Sequence, residues 1–279
     1  MPRDRSLGRS RRSPRRQATS SDSSPSTIKN LKDKVLFLPS FNESPKGTTV
    51  AYLQEKYRHV QVVNLNASMY NVMHEHCYLK VLLQSIECIT YMSVLLLSSF
   101  WIYYFDSYYI PGFVTFPASF FIWREWPNLQ SKVWYQMVTK CIELTRNEIA
   151  AFKPTVVVGA GYGGAIAVFC LLENHYIKPT VLLAPMHAEL NRLMVFDWHG
   201  SRKLPLNAKI VIAHGTKDMQ VHINDSKNLA KDKKRCELHV LKNENHRMRT
   251  LVGKGKVATS NDELRLSDLI DRVLVMWKK

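Results

Sequence analysis

Three positions in this sequence carry residue types that can act together: Gly161, in the run Thr155-Val-Val-Val-Gly-Ala-Gly-Tyr-Gly-Gly-Ala165, then Asp218, then His246. The run reads as a buried strand, a sharp glycine-rich turn and a helix that begins with small residues. Two chemistries use such a turn. In a nucleophile elbow, G-x-S-x-G, the flanking glycines let a strained turn pack closely while the central side chain stands above a sheet. Gly159 and Gly163 flank here, and the centre is Gly161. In the second pattern, G-x-G-x-x-G, Gly159, Gly161 and Gly164 would bring backbone amides at a helix N-terminus close to a pyrophosphate.

The sequence downstream separates these two. A dinucleotide site needs an acid about 20 positions on, at the end of the next strand, to bind a ribose hydroxyl. That strand is Val181-Leu-Leu-Ala-Pro185, which has none. An elbow instead needs an Asp or Glu after a later strand and a His after the last one, in that order. Asp218 ends Lys209-Ile-Val-Ile-Ala-His-Gly-Thr-Lys-Asp218, and His246 follows Glu237-Leu-His-Val-Leu241.

The elements that must position these residues are legible as short apolar runs alternating with helical patterns. Val35 to Leu38, closed by Pro39, is an expected strand; Thr48 to Tyr57 is a helix and His59 to Leu65 a second strand. Later come strands at Thr155–Val158, Thr180–Leu183, Lys209–Ala213 and Glu237–Leu241, with helices at Gly164–Glu173, Asp225–Lys231 and Leu264–Trp277. Strands that are apolar throughout, alternating with helices, indicate an α/β fold with a mostly parallel sheet covered on both faces. Strand-end loops at the carboxyl edge are where such a fold assembles a site.

With these residues in place, the chain resembles the α/β-hydrolase superfamily, in particular small esterase-like serine hydrolases whose first strand ends in His-Gly-Phe-x-x-Ser-Pro. The likeness covers Val35 to Leu65 and about Lys132 to Trp277. Gly159-Ala-Gly-Tyr-Gly-Gly164 falls on the family's Gly-x-Ser-x-Gly-Gly elbow; Leu183-Ala-Pro185, His214-Gly-Thr-Lys-Asp218 and Asn245-His246-Arg247 also resemble family segments. The resemblance implies that Asp218 is the triad acid, His246 the triad base, and the amides of Phe41 and Tyr162 the oxyanion-hole donors. Two departures stand out. Gly161 occupies the nucleophile position, and Pro39-Ser40 replaces the His-Gly before Phe41. Without an Oγ at position 161 no acyl-enzyme can form there. Ser40 lies near the mouth in the family layout, Tyr162 is adjacent, and Cys170 falls in a buried helix, but none stands at the elbow, so none is expected to replace the serine.

Three functions are compatible with this. The first is a ligand- or partner-binding pseudoenzyme that holds a small acyl or anionic molecule, with Asp218 and His246 kept as a hydrogen-bonded structural pair. The second is a hydrolase of an ester or thioester that uses Asp218 and His246 without an elbow serine. The third is a membrane-associated scaffold built on residues 69–131. That stretch breaks the α/β pattern: Cys88 to Phe105 is 18 residues without a charge, and Ser107 to Trp123 is uncharged but interrupted by Pro111, Gly112 and Pro117. It is expected to be a hydrophobic insertion, either a cap or a membrane-touching segment.

The net charge of +16 is uneven: Met1 to Lys34 holds seven Arg and three Lys against three Asp. Residues 1–30, Arg/Ser-rich and almost devoid of apolar side chains, are expected to be a disordered tail. The domain proper is expected to be 34–279. Lys227 to Arg235 is basic but has no interleaved aromatics, so nucleic acid is not an expected partner. Five cysteines without a CxxC suggest neither a disulfide framework nor zinc. His74-Glu75-His76 beside Cys77 lacks metal-site spacing. No cofactor is expected. The cytoplasm is the expected compartment, with mitochondrial or membrane-associated placement as alternatives.

Overall fold

A computed structural model describes residues 33–41, 43, 46–65, 99, 109–194, 203–253 and 264–278, with the backbone alone for 109–127, 129 and 130. The basic tail, the His74–Cys77 run and residues 88–98 and 100–108 of the uncharged stretch lie outside these. Six strands form one sheet: β1 (Lys34–Leu38), β2 (His59–Val62), β3 (Val156–Ala160), β4 (Thr180–Leu183), β5 (Ile210–Gly215) and β6 (Cys236–Leu241). Their order is β2-β1-β3-β4-β5-β6, and every pairing is parallel. The strands β3 and β5 run two residues further at their carboxyl ends than the apolar runs suggest. Both extensions, Gly159–Ala160 and His214–Gly215, are fully paired to neighbouring strands.

Alternate strand residues feed two cores. Leu36, Leu38, Val157, Leu182, Ile210 and Ile212 face one side, where they pack under α2 (Tyr109–Phe152), α3 (Gly161–Leu172) and α4 (His187–Met194). Val35, Phe37, Val156, Val158, Val181 and Val211 face the other, under α1 (Thr48–Lys56) and α6 (Leu266–Lys278), while the short helix α5 (Ile223–Leu229) lies beside β5 and β6. On α6 the buried residues are Leu266, Leu269, Ile270 and Val273, a spacing of three and four that makes one apolar stripe. Each such side chain contributes about 1.5–3 kcal/mol by leaving water. The Asp268 carboxylate accepts from the Arg265 amide at 2.9 Å and fixes the start of that helix. By contrast α3 is buried on every side, as a helix must be when sheet and helices enclose it.

The helix α2 crosses residue 131, where the expected insertion ends, and its Met137, Val138, Cys141, Ile142 and Ile149 belong to the first core. Among the described residues, no helix is long and apolar enough to cross a membrane.

The chain direction reverses between β1 and β3. From β1 it steps outward to β2, then returns across β1 to β3 and runs the other way to β6. In an open parallel sheet that reversal leaves a crevice at the carboxyl ends of the two strands. The register Leu38↔Gly159 across this pair sets Ser40 and Gly161 equally far beyond it.

Candidate functional site

Gly161 opens α3 with a φ of +49°, in the left-handed region that residues with a Cβ enter only at a cost. The turn expected from the glycine pattern is therefore present, although helix begins three residues earlier than Gly164. Gly163 explains how the next loop comes so near. A Cβ there would meet the Leu38 carbonyl oxygen at 2.2 Å and that of Pro39 at 2.6 Å, so only a glycine lets the end of β1 lie against the first turn of α3. The loop it admits begins with Ser40, whose carbonyl accepts from the Glu43 amide at 3.0 Å.

Asp218 follows β5, and its side chain is only 1% exposed. Its Oδ1 accepts from the amides of Gln220 at 2.8 Å and Val221 at 2.9 Å, while Oδ2 lies 2.7 Å from His246 Nδ1. The two oxygens thus have separate tasks, one holding the loop and the other holding the imidazole. Burial works to raise the Asp218 pKa, but the His246 hydrogen bond and the two amides outweigh it and hold the carboxyl below its usual value of 3.8. With an ionised partner on Nδ1, the His246 ring keeps that nitrogen protonated and leaves Nε2 with its lone pair.

The loops after β5 and β6 are tied together. The amide of Thr216 donates to Leu241 O at 2.9 Å and that of Lys217 to Glu244 O at 2.8 Å, while Thr216 Oγ1 accepts from the Asn243 amide at 2.9 Å. His246 then points its free nitrogen at the elbow: Nε2 lies 2.9 Å from where a Cβ on Gly161 would stand. Ser40 Oγ lies 2.4 Å from that same point. The structure therefore gathers Gly161, Asp218 and His246 at the carboxyl edge as the sequence pattern implies, and it adds a hydroxyl over Gly161. The expectation that Ser40 merely sits near the mouth is corrected; close packing at Gly163 brings its side chain over the elbow itself.

The remaining sequence candidates fall into place around this centre. Tyr162 is fully buried and its hydroxyl donates to Cys141 Sγ at 3.5 Å; burial, with Cys141 adding to it, holds the phenol well above its ordinary pKa. Its amide lies in the first turn of α3, where helix geometry provides no acceptor. The Phe41 ring stands edge-on to Tyr162 at 5.7 Å and tilted against Trp134 at 6.5 Å, which holds the loop after β1 against α2 and α3. Cys170 is buried in α3, and desolvation raises its thiol far above the usual range; it is core, as expected.

One participant stood in the sequence only as the first residue of the family-like segment His214-Gly-Thr-Lys-Asp218, with no role attached to it. His214, fully buried on β5, donates from Nε2 to Val221 O at 3.1 Å and accepts at Nδ1 from Ser226 Oγ at 2.8 Å. It braces the turn whose amides hold Asp218. Desolvation lowers its pKa, against the pull of the Val221 carbonyl and Asp218, so it stays neutral. A histidine inside an apolar strand, nine positions before the helix that carries Ser226, is not distinguishable in sequence from a satisfied core residue.

No protein-family model matches the chain, and no curated protein matches it. Several solved structures are similar in fold. Est1E from Butyrivibrio proteoclasticus is 13% identical over 90% of this chain and 91% of that one, with a TM-score of 0.46. A thermophilic esterase, Est2, from the planctomycete Thermogutta terrifontis is 20% identical over 50% of this chain and 62% of that one, with a TM-score of 0.31. A predicted CIB-like hydrolase from Thermoplasma acidophilum is 22% identical over 39% of this chain and 50% of that one, with a TM-score of 0.30. The chain thus spans less than two thirds of the last two proteins. Its own fold is a six-stranded parallel sheet with helices on both faces. These likenesses are coarse, and the site stands on its own geometry.

Proposed function

We propose that this chain hydrolyses a small carboxylic ester or thioester in the crevice above Gly161, with His246 as general base and Asp218 as the acid that orients it. The observation that carries this is the pairing of a buried, amide-held carboxylate with a histidine whose free nitrogen faces the elbow: Asp218 Oδ2 to His246 Nδ1 at 2.7 Å, and Nε2 2.9 Å from the Cβ position of residue 161. Such a base contributes only where an acidic proton and an electrophile meet it. The amide of Tyr162, at the positive end of α3, and that of Phe41 are the groups assigned to a developing oxyanion. The partly exposed Phe41 ring, packed on Tyr162 and beside Trp134, offers an apolar surface that suits a short acyl chain.

A second reading, a pseudoenzyme that binds an acyl or anionic ligand without turnover, is favoured by one observation: Gly161 supplies no Oγ. Substitution Asp218→Asn distinguishes them. Loss of the carboxylate leaves the fold's hydrogen bonds largely replaceable but withdraws the group that fixes the tautomer, an effect of about 10⁴ in a comparable triad. Hydrolysis of p-nitrophenyl acetate by the wild type, falling at least a hundredfold in Asp218→Asn, is the expected result. Equal rates above buffer in the two proteins would remove Asp218 from the mechanism, and a wild type no faster than buffer would leave the pseudoenzyme reading in its place.

A further inference from the structure

The two departures from the family pattern meet at one point in space. The elbow has lost a hydroxyl at Gly161, and the loop after β1 has gained one at Ser40, whose Oγ lies 2.4 Å from the missing Cβ. The same point is 2.9 Å from His246 Nε2. Each change fits the other: a Cβ at 161 would make the Ser40 hydroxyl turn aside, and glycine leaves it the space over the elbow. Of the other groups weighed as substitutes, Tyr162 Oη is turned away to Cys141 Sγ, and Cys170 hydrogen-bonds into the core at Ile142 O. We propose that Ser40 is the nucleophile of this site, so that the loop after β1 and the elbow have exchanged roles across the switch point. This rests on the hydrolase reading above and deepens it.

The step is an ordinary acyl transfer. Ser40 Oγ attacks the carbonyl carbon of the ester as its proton passes to His246 Nε2, and the C=O electron pair moves onto oxygen, facing the Phe41 and Tyr162 amides. The tetrahedral adduct collapses, expelling the alcohol or thiol, which takes the proton from His246, and an acyl ester remains on Ser40. Water then gives a proton to His246 and adds to the acyl carbon. Collapse returns that proton to Ser40 Oγ and releases the carboxylic acid.

The test uses the full chain as wild type, Ser40→Ala, Ser40→Cys and His246→Ala, each checked for native circular dichroism. Turnover of p-nitrophenyl butyrate is measured together with labelling by an alkyl fluorophosphonate, the adduct being mapped by peptide mass. The expected result is one adduct per chain on the peptide containing Ser40, and a loss of at least a hundredfold in turnover in Ser40→Ala, matching His246→Ala. The thiol of Ser40→Cys should react with iodoacetamide at a pH below that of a free thiol, and this advantage should vanish when His246→Ala is added. Wild-type turnover in Ser40→Ala with a silent His246→Ala overturns the nucleophile assignment while the hydrolase reading stands, with water attacking the ester carbonyl directly. An adduct on another residue, or an ordinary thiol in Ser40→Cys, overturns it as well. A wild type that neither turns over nor is labelled removes the hydrolase reading and this inference together.

Discussion

Restoring a serine at the elbow should damage this protein before it helps it. In Gly161→Ser the new Cβ enters a residue with φ +49°, which costs about 1–2 kcal/mol for an L side chain. It also arrives 2.4 Å from Ser40 Oγ and 2.9 Å from His246 Nε2, closer than atoms approach. Overpacking of this kind costs about 1–3 kcal/mol, so the single variant should lose about 2–5 kcal/mol in all. The closer of these two contacts, and with it the larger share of the overpacking, belongs to Ser40, while the contact with His246 Nε2 remains. In Gly161→Ser/Ser40→Ala the hydroxyl is gone and the nearest remaining atom of residue 40 is its Cβ at 3.2 Å, a contact relieved by a small shift. Urea unfolding of the four proteins of this cycle should therefore give a favourable coupling of about 1–3 kcal/mol. Ester turnover should follow the same order: low in Gly161→Ser, where two hydroxyls compete for one space, and partly recovered in the double variant, where the elbow oxygen alone faces His246. Stability of Gly161→Ser within about 0.5 kcal/mol of wild type, with additive effects in the cycle, would refute the claim that Ser40 fills the nucleophile's space.

Other outcomes follow from the same geometry. The Asp218 carboxyl is depressed below 3.8 in the fold, so its contribution to stability is complete above that pH and is lost as pH falls through the folded value. The stability difference between wild type and Asp218→Asn, read by urea unfolding, should shrink below about pH 4. His214 and His187 are both lowered from 6.5 chiefly by desolvation; the unfolded chain therefore binds protons first, and thermal stability should decline as pH drops below 6.5, less so in His214→Gln. Ser226→Ala leaves buried His214 Nδ1 without its donor, a loss of about 1–3 kcal/mol measurable by the same unfolding assay. Cys141, Cys170 and Cys236 are buried, and burial pushes the Cys236 thiol up to about 12; iodoacetamide at neutral pH should leave all three unmodified in the native protein and label them after denaturation.

Much of this was legible in the chain's own letters, and the reason is local. Apolar runs such as Val35–Leu38 and Val156–Val158 can only be strands buried on both faces, and the spacing from Gly161 through Asp218 to His246 follows strand ends in chain order. Gly159, Gly161 and Gly163 announce a tight turn, and at Gly163 it tolerates no side chain. Ser40 escaped because its position depends on something no spacing reports: the register Leu38↔Gly159 and the contact of Gly163 with Leu38 and Pro39. The bracing role of His214 was hidden for a similar reason, since its partners Val221 and Ser226 become neighbours only when the β5 loop folds back. The extent of α2 was missed because Pro111 and Pro117 read as breaks, yet the helix continues through both to Phe152.

The most direct test of the account is ester cleavage by the full chain and by its His246→Ala variant, measured side by side on short-chain p-nitrophenyl esters near pH 7.5. Turnover above buffer is expected in the wild type, with a loss of at least a hundredfold when the imidazole is removed. A wild type indistinguishable from buffer, or a His246→Ala variant as active as the wild type, would contradict it.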